Sequence, residues 1–123
     1  MKGFKGKPLE VTFNHHGTVT VARATITWEN VPSEIRPTFE YMFMQGDQIN
    51  ICSRTICKDT DTFDTAKGER IARKKLIKKF MSMVNQAAEQ DIKYYNMKIN
   101  EVMRIQSFAA QCHDSIVKYL GEQ

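Results

Sequence analysis

The pattern of apolar and polar positions changes midway along the chain. In the first half apolar residues alternate with polar ones, as in Leu9, Val11 and Phe13, and this period of two is typical of half-buried strands. In the second half apolar residues recur every three or four positions, which is typical of an amphipathic helix. Residues 69–120 contain no glycine or proline to interrupt it. The sequence therefore predicts an α+β fold, with the sheet first and the helical region second.

The first half, residues 1–58, predicts a four-stranded antiparallel sheet. The predicted strands are residues 9–14, 18–28, 39–44 and 49–57, and the short connections between them favour an antiparallel meander. In the second strand Val19 and Val21 lie on one face, whereas the later apolar residues lie on the other. This change of face predicts a β-bulge near Val21.

The second half predicts a junction, residues 59–68, followed by a helical region, residues 69–120. In the junction Asp61, Thr62 or Asp64 could cap the helix. The apolar stripe comprises Ile77, Met81, Val84, Ala88, Ile92, Tyr95, Ile99 and Val102, and continues through Gln106, Ala109, His113, Ile116 and Leu120.

An unbroken helix over this stretch would be roughly 78 Å long, and a four-stranded sheet cannot cover that length. We expect either two helices, folding back between Asp91 and Asn100, or one long bent helix. A helix that leaves the sheet to pack on another chain is the remaining possibility, and we expect self-association to accompany the fold.

Length and composition predict one cytoplasmic domain. The 123 residues carry a net charge of +4 and contain no apolar run of membrane-span length and no signal peptide. Cys52, Cys57 and Cys112 are too few and too irregularly spaced for a disulfide framework or a zinc site. We expect all three to be buried, reduced thiols.

Positive charge is concentrated at the start of the helical region. The basic residues there are Lys67, Arg70, Arg73, Lys74, Lys75, Lys78 and Lys79, against the single acid Glu69. Such a run suits a phosphate-bearing partner, or it forms a solvated helix face. No catalytic motif appears along the chain, so we expect neither enzymatic activity, a cofactor nor a metal.

The candidate binding residues are arginines, aromatics and amides. Arg23 and Arg54 lie in predicted strands, and Arg73 lies in the basic run. A guanidinium suits phosphate because its planar fork donates two parallel hydrogen bonds. Phe80 could stack on a nucleobase, and Asn85 could bind a base edge or a ribose hydroxyl.

Two sequence blocks resemble the phage Thoeris anti-defence sponge family. One is Val11 to Asn14 with Thr18 to Ala22, and the other is Asp61 to Asp64 running into Gly68 to Arg73. The resemblance covers nearly the whole chain.

The resemblance implies a non-catalytic protein of the bacterial host cytoplasm. It would sequester the cyclic ADP-ribose isomer made by TIR-domain enzymes, and some relatives also bind cyclic oligonucleotides. It implies a homo-oligomer, either a dimer or a hexamer, with pockets between protomers that use arginine, an aromatic ring and asparagine. Those residue types occur here as Arg54, Phe80, Asn85 and Arg104.

Two other interpretations stay open. A small sheet followed by a lysine-rich helix start is also the architecture of double-stranded-RNA-binding modules, although their first helix has no counterpart in residues 1–8. The chain could also be a structural oligomerisation protein whose basic helix is only solvated.

Overall fold

The fold is α+β, with a three-stranded antiparallel sheet followed by one long helix. A computed structural model describes residues 6–56 and 65–122. Its elements are β1 (Thr12–His16), β2 (Val19–Thr27), a 3₁₀ turn (Trp28–Asn30), α1 (Arg36–Phe43), β3 (Gln48–Ile56) and α2 (Thr65–Gly121). Contacts divide the chain into two compact units, Met1–Glu89 and Gln90–Gln123, and each is described by itself.

The sheet has the order β1-β2-β3. Gly17 has a φ of 59°, which suits the first central position of the two-residue loop between β1 and β2. Pairing runs without a break from His16 opposite Val19 to Thr12 opposite Arg23, and along the whole of β2 against β3. The predicted bulge is therefore wrong. Val19 and Val21 are simply half-buried on the face opposite the core.

The predicted third strand is wrong, because residues 36–43 form helix α1. Pro37 stands in the first turn of α1, where proline is tolerated since the amide there has no helical partner. Phe39 and Phe43 fit a period of two, but they also fit the i, i+4 spacing of a helix. Their ring centroids lie 5.1 Å apart, whereas Tyr41, halfway between them, is 92% exposed.

Of the alternatives for the helical region, two helices are wrong and a single long helix is confirmed, since helical hydrogen bonding continues from Thr65 to Gly121. The predicted caps Asp61, Thr62 and Asp64 lie outside the described residues. Within the first unit, the buried side of α2 is displaced by one residue from the predicted stripe. It comprises Gly68, Ala72, Leu76, Phe80, Met83 and Ala87, while Ile77, Met81, Val84 and Ala88 are only half-buried.

Helix α2 packs on one face of the sheet at very short range. The buried face of β2 carries Thr20, Ala22, Ala24 and Ile26, and most of these side chains are small. A Cβ atom at Gly68 would lie only 2.8 Å from Thr20 Oγ1. Glycine at this position therefore lets the first turn of α2 pack directly against the Thr20 side chain.

Farther along α2 the core is formed by large side chains. Phe80 contacts Phe39 of α1 edge to face, with the ring centroids 6.1 Å apart. Ile26, Leu76 and Val31 are fully buried around this pair. Helix α1 therefore extends the same core that α2 forms against the sheet.

A polar bridge holds the first turn of α2 to the strands. His15 is opposite Thr20 in the β1–β2 pairing; its Nδ1 lies 3.1 Å from Thr20 Oγ1 and its Nε2 lies 3.0 Å from Glu69 Oε1. In the tautomer with the proton on Nε2, the ring donates to Glu69 and accepts from the Thr20 hydroxyl. Strand β1, strand β2 and helix α2 are thereby linked at one point.

We predict that Gly68→Ala destabilises the fold through the Thr20 hydroxyl. Overpacking costs about 1–3 kcal/mol, against about 1 kcal/mol gained from the higher helix propensity of alanine. Urea denaturation should show a net loss in the native background. In a Thr20→Ala background, which lacks Oγ1, the same change should be neutral or stabilising. An equal effect of Gly68→Ala in both backgrounds would contradict this contact.

Candidate functional site

The sheet face opposite α2 is exposed and polar. We call it the open face. It carries Thr12, Asn14 and His16 of β1, Val19, Val21, Arg23, Thr25 and Thr27 of β2, and Gln48, Asn50, Cys52, Arg54 and Ile56 of β3. Ten of these thirteen residues are exposed and the other three are half-buried. Antiparallel sheets commonly bury one face and leave the other in solvent, so exposure alone assigns no function.

Two arginines lie next to each other on the open face. Arg23 is opposite Cys52 and Arg54 is opposite Val21, so the two arginines are diagonal cross-strand neighbours, roughly 7–8 Å apart in such a sheet. Both are exposed. Within the described ranges neither guanidinium has a hydrogen bond or an ion pair. Two adjacent unpaired cations on a rigid sheet can hold one anionic group between them.

Arg23 also lines a cavity of about 700 Å³, a volume within the range of small-molecule sites. The cavity lies along the end of the sheet where β2 leads into the 3₁₀ turn. Its other lining residues are Lys7, Pro8, Glu10, Thr12, Ala24, Thr25, Thr27, Glu29, Asn30, Asn50, Ile51 and Cys52. Most of these side chains can donate or accept hydrogen bonds.

One wall of the cavity is fixed by Asn30, which is 6% exposed. Its Oδ1 accepts from the Thr27 amide at 2.8 Å, and its Nδ2 donates to the Lys7 carbonyl at 2.9 Å. The Lys7 amide in turn donates to the Glu29 carbonyl at 2.8 Å. These bonds hold residues 7–8 beside the 3₁₀ turn.

The charge inside the cavity is balanced. Lys7 Nζ lies 3.5 Å from Glu29 Oε2, which leaves Arg23 and Glu10 as the other charged residues of the lining. On the floor, the Thr25 hydroxyl donates to Asn50 Oδ1 at 2.7 Å. A ligand with an anionic group for Arg23 and hydroxyl groups for Glu10 and Asn50 would match this lining.

A second positive surface lies on the other side of the first unit. Four exposed basic residues recur every three or four positions along α2, on the side away from its buried residues: Lys67, Arg70, Lys74 and Lys78. We call them the basic stripe. Because α2 packs on the buried face, the sheet separates the basic stripe from the open face. One small ligand cannot contact both surfaces of the same unit.

The predicted site residues are divided among several places. Arg23 and Arg54 are together on the open face. The Arg73 guanidinium lies 5.5 Å from the centre of the Phe13 ring, a cation–π distance. Asn85 donates to Glu89 Oε1 at 3.1 Å within α2. Arg104 belongs to the second unit, where it borders a shallow groove with Phe108.

Phe80 is in the core and is only 1% exposed. Its ring contacts Phe39, so in this structure it is inaccessible to a nucleobase, and we remove it from the candidate set. The described lining of the cavity contains no aromatic residue. The cavity therefore combines arginine and asparagine without a ring, whereas the resemblance implies such a set in a pocket between protomers.

Asn50, Thr12 and Cys52 were not among the predicted site residues. The sequence pattern could have identified Asn50 and Cys52 as surface residues, because Gln48, Asn50, Cys52 and Arg54 form the polar half of the alternation in β3. Cys52 and Cys112 are exposed, so the expectation of buried thiols is wrong for both. Cys57 lies outside the described residues.

The Thr20, His15 and Glu69 bridge has the order hydroxyl, imidazole, carboxylate of a nucleophilic triad. However, Thr20 is 1% exposed and lies against Gly68, so no substrate can reach its oxygen. No group of three potential metal ligands occurs in residues 6–56 and 65–122. In the same ranges no helix is long and apolar enough to span a bilayer.

Comparisons with protein-family models, with curated proteins and with solved structures found no match for this chain. The open face, the cavity and the basic stripe are therefore the features of the described residues that bear on function.

We predict that Phe80→Ala destabilises the first unit by about 3–5 kcal/mol, as loss of a core aromatic does. Phe108→Ala is the matched control on the same helix, since Phe108 is 70% exposed, and a surface change should stay within about 0.5 kcal/mol. Urea denaturation followed by Trp28 fluorescence measures both. Equal, small effects would mean that Phe80 is not a core residue.

Proposed function

We propose that this protein binds a small phosphate-bearing ligand on the open face of its sheet and holds it without chemical change. The observation that supports the proposal is the pair Arg23 and Arg54, adjacent and unpaired among the described residues, with Arg23 lining a cavity of about 700 Å³. The ligand's anionic group would bind between the guanidinium groups. Its sugar hydroxyls would bind Glu10, Asn50 and the threonines.

We further propose a specific ligand. The sequence resemblance suggests the cyclic ADP-ribose isomer made by TIR-domain enzymes, sequestered as part of phage anti-defence, with cyclic oligonucleotides as further ligands. Ligands of this class carry a diphosphate, which would bind Arg23 and Arg54. They also carry ribose hydroxyls, which would bind the Asn50 carboxamide and the Glu10 carboxylate. No aromatic side chain in the described lining would stack on the adenine, so we propose that polar contacts dominate binding in this unit.

Double-stranded RNA is the second candidate, and the basic stripe favours it. Lys67, Arg70, Lys74 and Lys78 are spaced along one exposed side of α2, as an extended phosphate backbone requires. This candidate uses the opposite surface of the first unit, so substitutions separate it cleanly from the first.

We predict that Arg23→Gln and Arg54→Gln each weaken binding of cyclic ADP-ribose. Loss of one charge-assisted bond costs about 1.5–3 kcal/mol, which is roughly a 10- to 150-fold rise in Kd. Lys74→Gln, which removes the same charge from the opposite surface, should change Kd less than about threefold. Calorimetric titration measures all three variants, and chromatography of the released ligand shows whether it is intact.

The same three variants, titrated with an RNA duplex over a range of salt concentrations, separate the candidates. The RNA candidate is favoured if the duplex no longer binds Lys74→Gln but still binds Arg23→Gln. Its affinity for the native protein should also fall steeply with salt, because binding releases counterions. If cyclic ADP-ribose also failed to bind, the proposal would be overturned. Recovery of a cleaved product would contradict holding without chemical change.

Cys52 provides an independent test of where the ligand lies. It is exposed and directly opposite Arg23, so we predict that bound cyclic ADP-ribose slows its alkylation. Cys112 is exposed in the second unit and is the internal control, whose alkylation rate should not change. Peptide mass spectrometry resolves the two sites. Protection of neither cysteine by saturating ligand would place the ligand away from the open face.

A further inference from the structure

The second unit is a helix with a continuous heptad pattern. Every residue from Ile92 to Glu122 is exposed. If Ile92 is placed at position a of a heptad abcdefg, the a positions are Ile92, Ile99, Gln106, His113 and Leu120, and the d positions are Tyr95, Val102, Ala109 and Ile116. We call these nine residues the seam. Seven of these nine positions are apolar, and an apolar a and d repeat over four heptads is the spacing of a coiled coil.

The apolar residues of the seam are largely exposed within this unit, although the ring of Tyr95 meets that of Tyr94 at a centroid distance of 5.4 Å. Ile92, Tyr95, Ile99, Val102, Ile116 and Leu120 are each 54–62% exposed. Exposed apolar surface of this extent marks an interaction surface, and here it forms two blocks, residues 92–102 and 116–120, with Gln106, Ala109 and His113 between them. A seam that repeats every 3.5 residues is matched by another helix with the same repeat, because each seam residue then inserts between four residues of its neighbour.

The charged residues are placed where they do not oppose such a packing. The charged residues between positions 92 and 122 are Lys93, Lys98, Glu101, Arg104, Asp114, Lys118 and Glu122. Six of these seven occupy positions b, c or f, which face away from the seam, and only Lys98 flanks it at g. The remaining e and g positions over this stretch are uncharged, so copies of the helix would meet without like-charge repulsion.

We infer that the second unit is a parallel, in-register coiled coil formed between copies of this chain. The two polar seam residues, Gln106 and His113, fix the choice of partner and direction. Both occupy a positions, and in a parallel, in-register assembly each meets the same residue of the other copy. An amide and a neutral imidazole each carry a donor and an acceptor, so each can hydrogen-bond its own kind.

An antiparallel pairing leaves these residues worse matched. There a residues face d residues, and the d positions hold Tyr95, Val102, Ala109 and Ile116. At least one of Gln106 and His113 would then lie against an apolar side chain, which carries the cost of an unpaired buried polar group. Polar residues at a positions commonly fix the register and direction of coiled coils in this way.

The number of helices in the assembly is indicated by the residues in and beside the seam. β-branched residues occupy both kinds of position, with Ile92 and Ile99 at a, and Val102 and Ile116 at d. This favours a coiled coil of three or more helices over one of two. Apolar residues also flank the seam, namely Met103, Ala110 and Val117 at e, and Ile105 and Tyr119 at g. The wider apolar surface suits a bundle of at least three helices.

Sedimentation of the full chain tests the assembly. The native protein should sediment with at least three times its 14.2 kDa chain mass at micromolar concentration. Ile99→Asp places a charge in the seam and should raise the dissociation constant at least 100-fold. Asn100→Asp adds the same charge at the neighbouring b position and should leave the mass unchanged. A monomeric native protein, or equal effects of the two substitutions, would overturn the inference.

Disulfide formation tests the direction. In a Cys112→Ser background, Leu120→Cys places a thiol at the last a position of the seam. Parallel, in-register copies bring residue 120 of each chain together, so mild oxidation should give a 120–120 disulfide, identified by peptide mass spectrometry. An antiparallel pair would hold these residues roughly 40 Å apart at 1.5 Å per residue. Assembly without the 120–120 link would overturn the parallel arrangement.

Discussion

The close contact between Gly68 of α2 and Thr20 of β2 determines the layout of the first unit. Because no Cβ stands between them, the helix reaches the small residues of one sheet face. Helix α2, together with α1, then buries that face over Ala22, Ala24 and Ile26. The opposite face is left in solvent, and alternation along β2 and β3 decides which side chains it presents.

The functional argument follows from this one-sided packing. Arg23 and Arg54 are in strands, yet neither is drawn into the core nor paired among the described residues. A rigid sheet holds them at a fixed separation, which favours a compact anionic group over a flexible polyanion. The basic stripe on α2 has the opposite character, since it is exposed and extends along the helix surface. The two surfaces therefore suit two different kinds of ligand.

The parts of the fold that depend on local pattern were predicted from the sequence. The alternation predicted strands β1, β2 and β3, and the absence of glycine and proline predicted helical structure over residues 69–120, but it left open whether the helix folds back. The pattern of Phe39, Tyr41 and Phe43 was ambiguous, because residues four apart fit both a strand and a helix. Packing against Phe80 decided it in favour of α1, and that contact is 41 residues away in sequence. For the same reason the burial of Phe80 and the cavity beside the 3₁₀ turn could not be predicted, since both depend on which segments meet.

The most direct test of the central claim is an amide NMR titration of the protein with cyclic ADP-ribose. If the ligand binds the open face, the largest shift changes should map to Arg23, Asn50, Cys52 and Arg54, with little change along Lys67 to Lys78. Changes confined to the basic stripe, or no changes at saturating ligand, would contradict the assignment of the open face as the binding site.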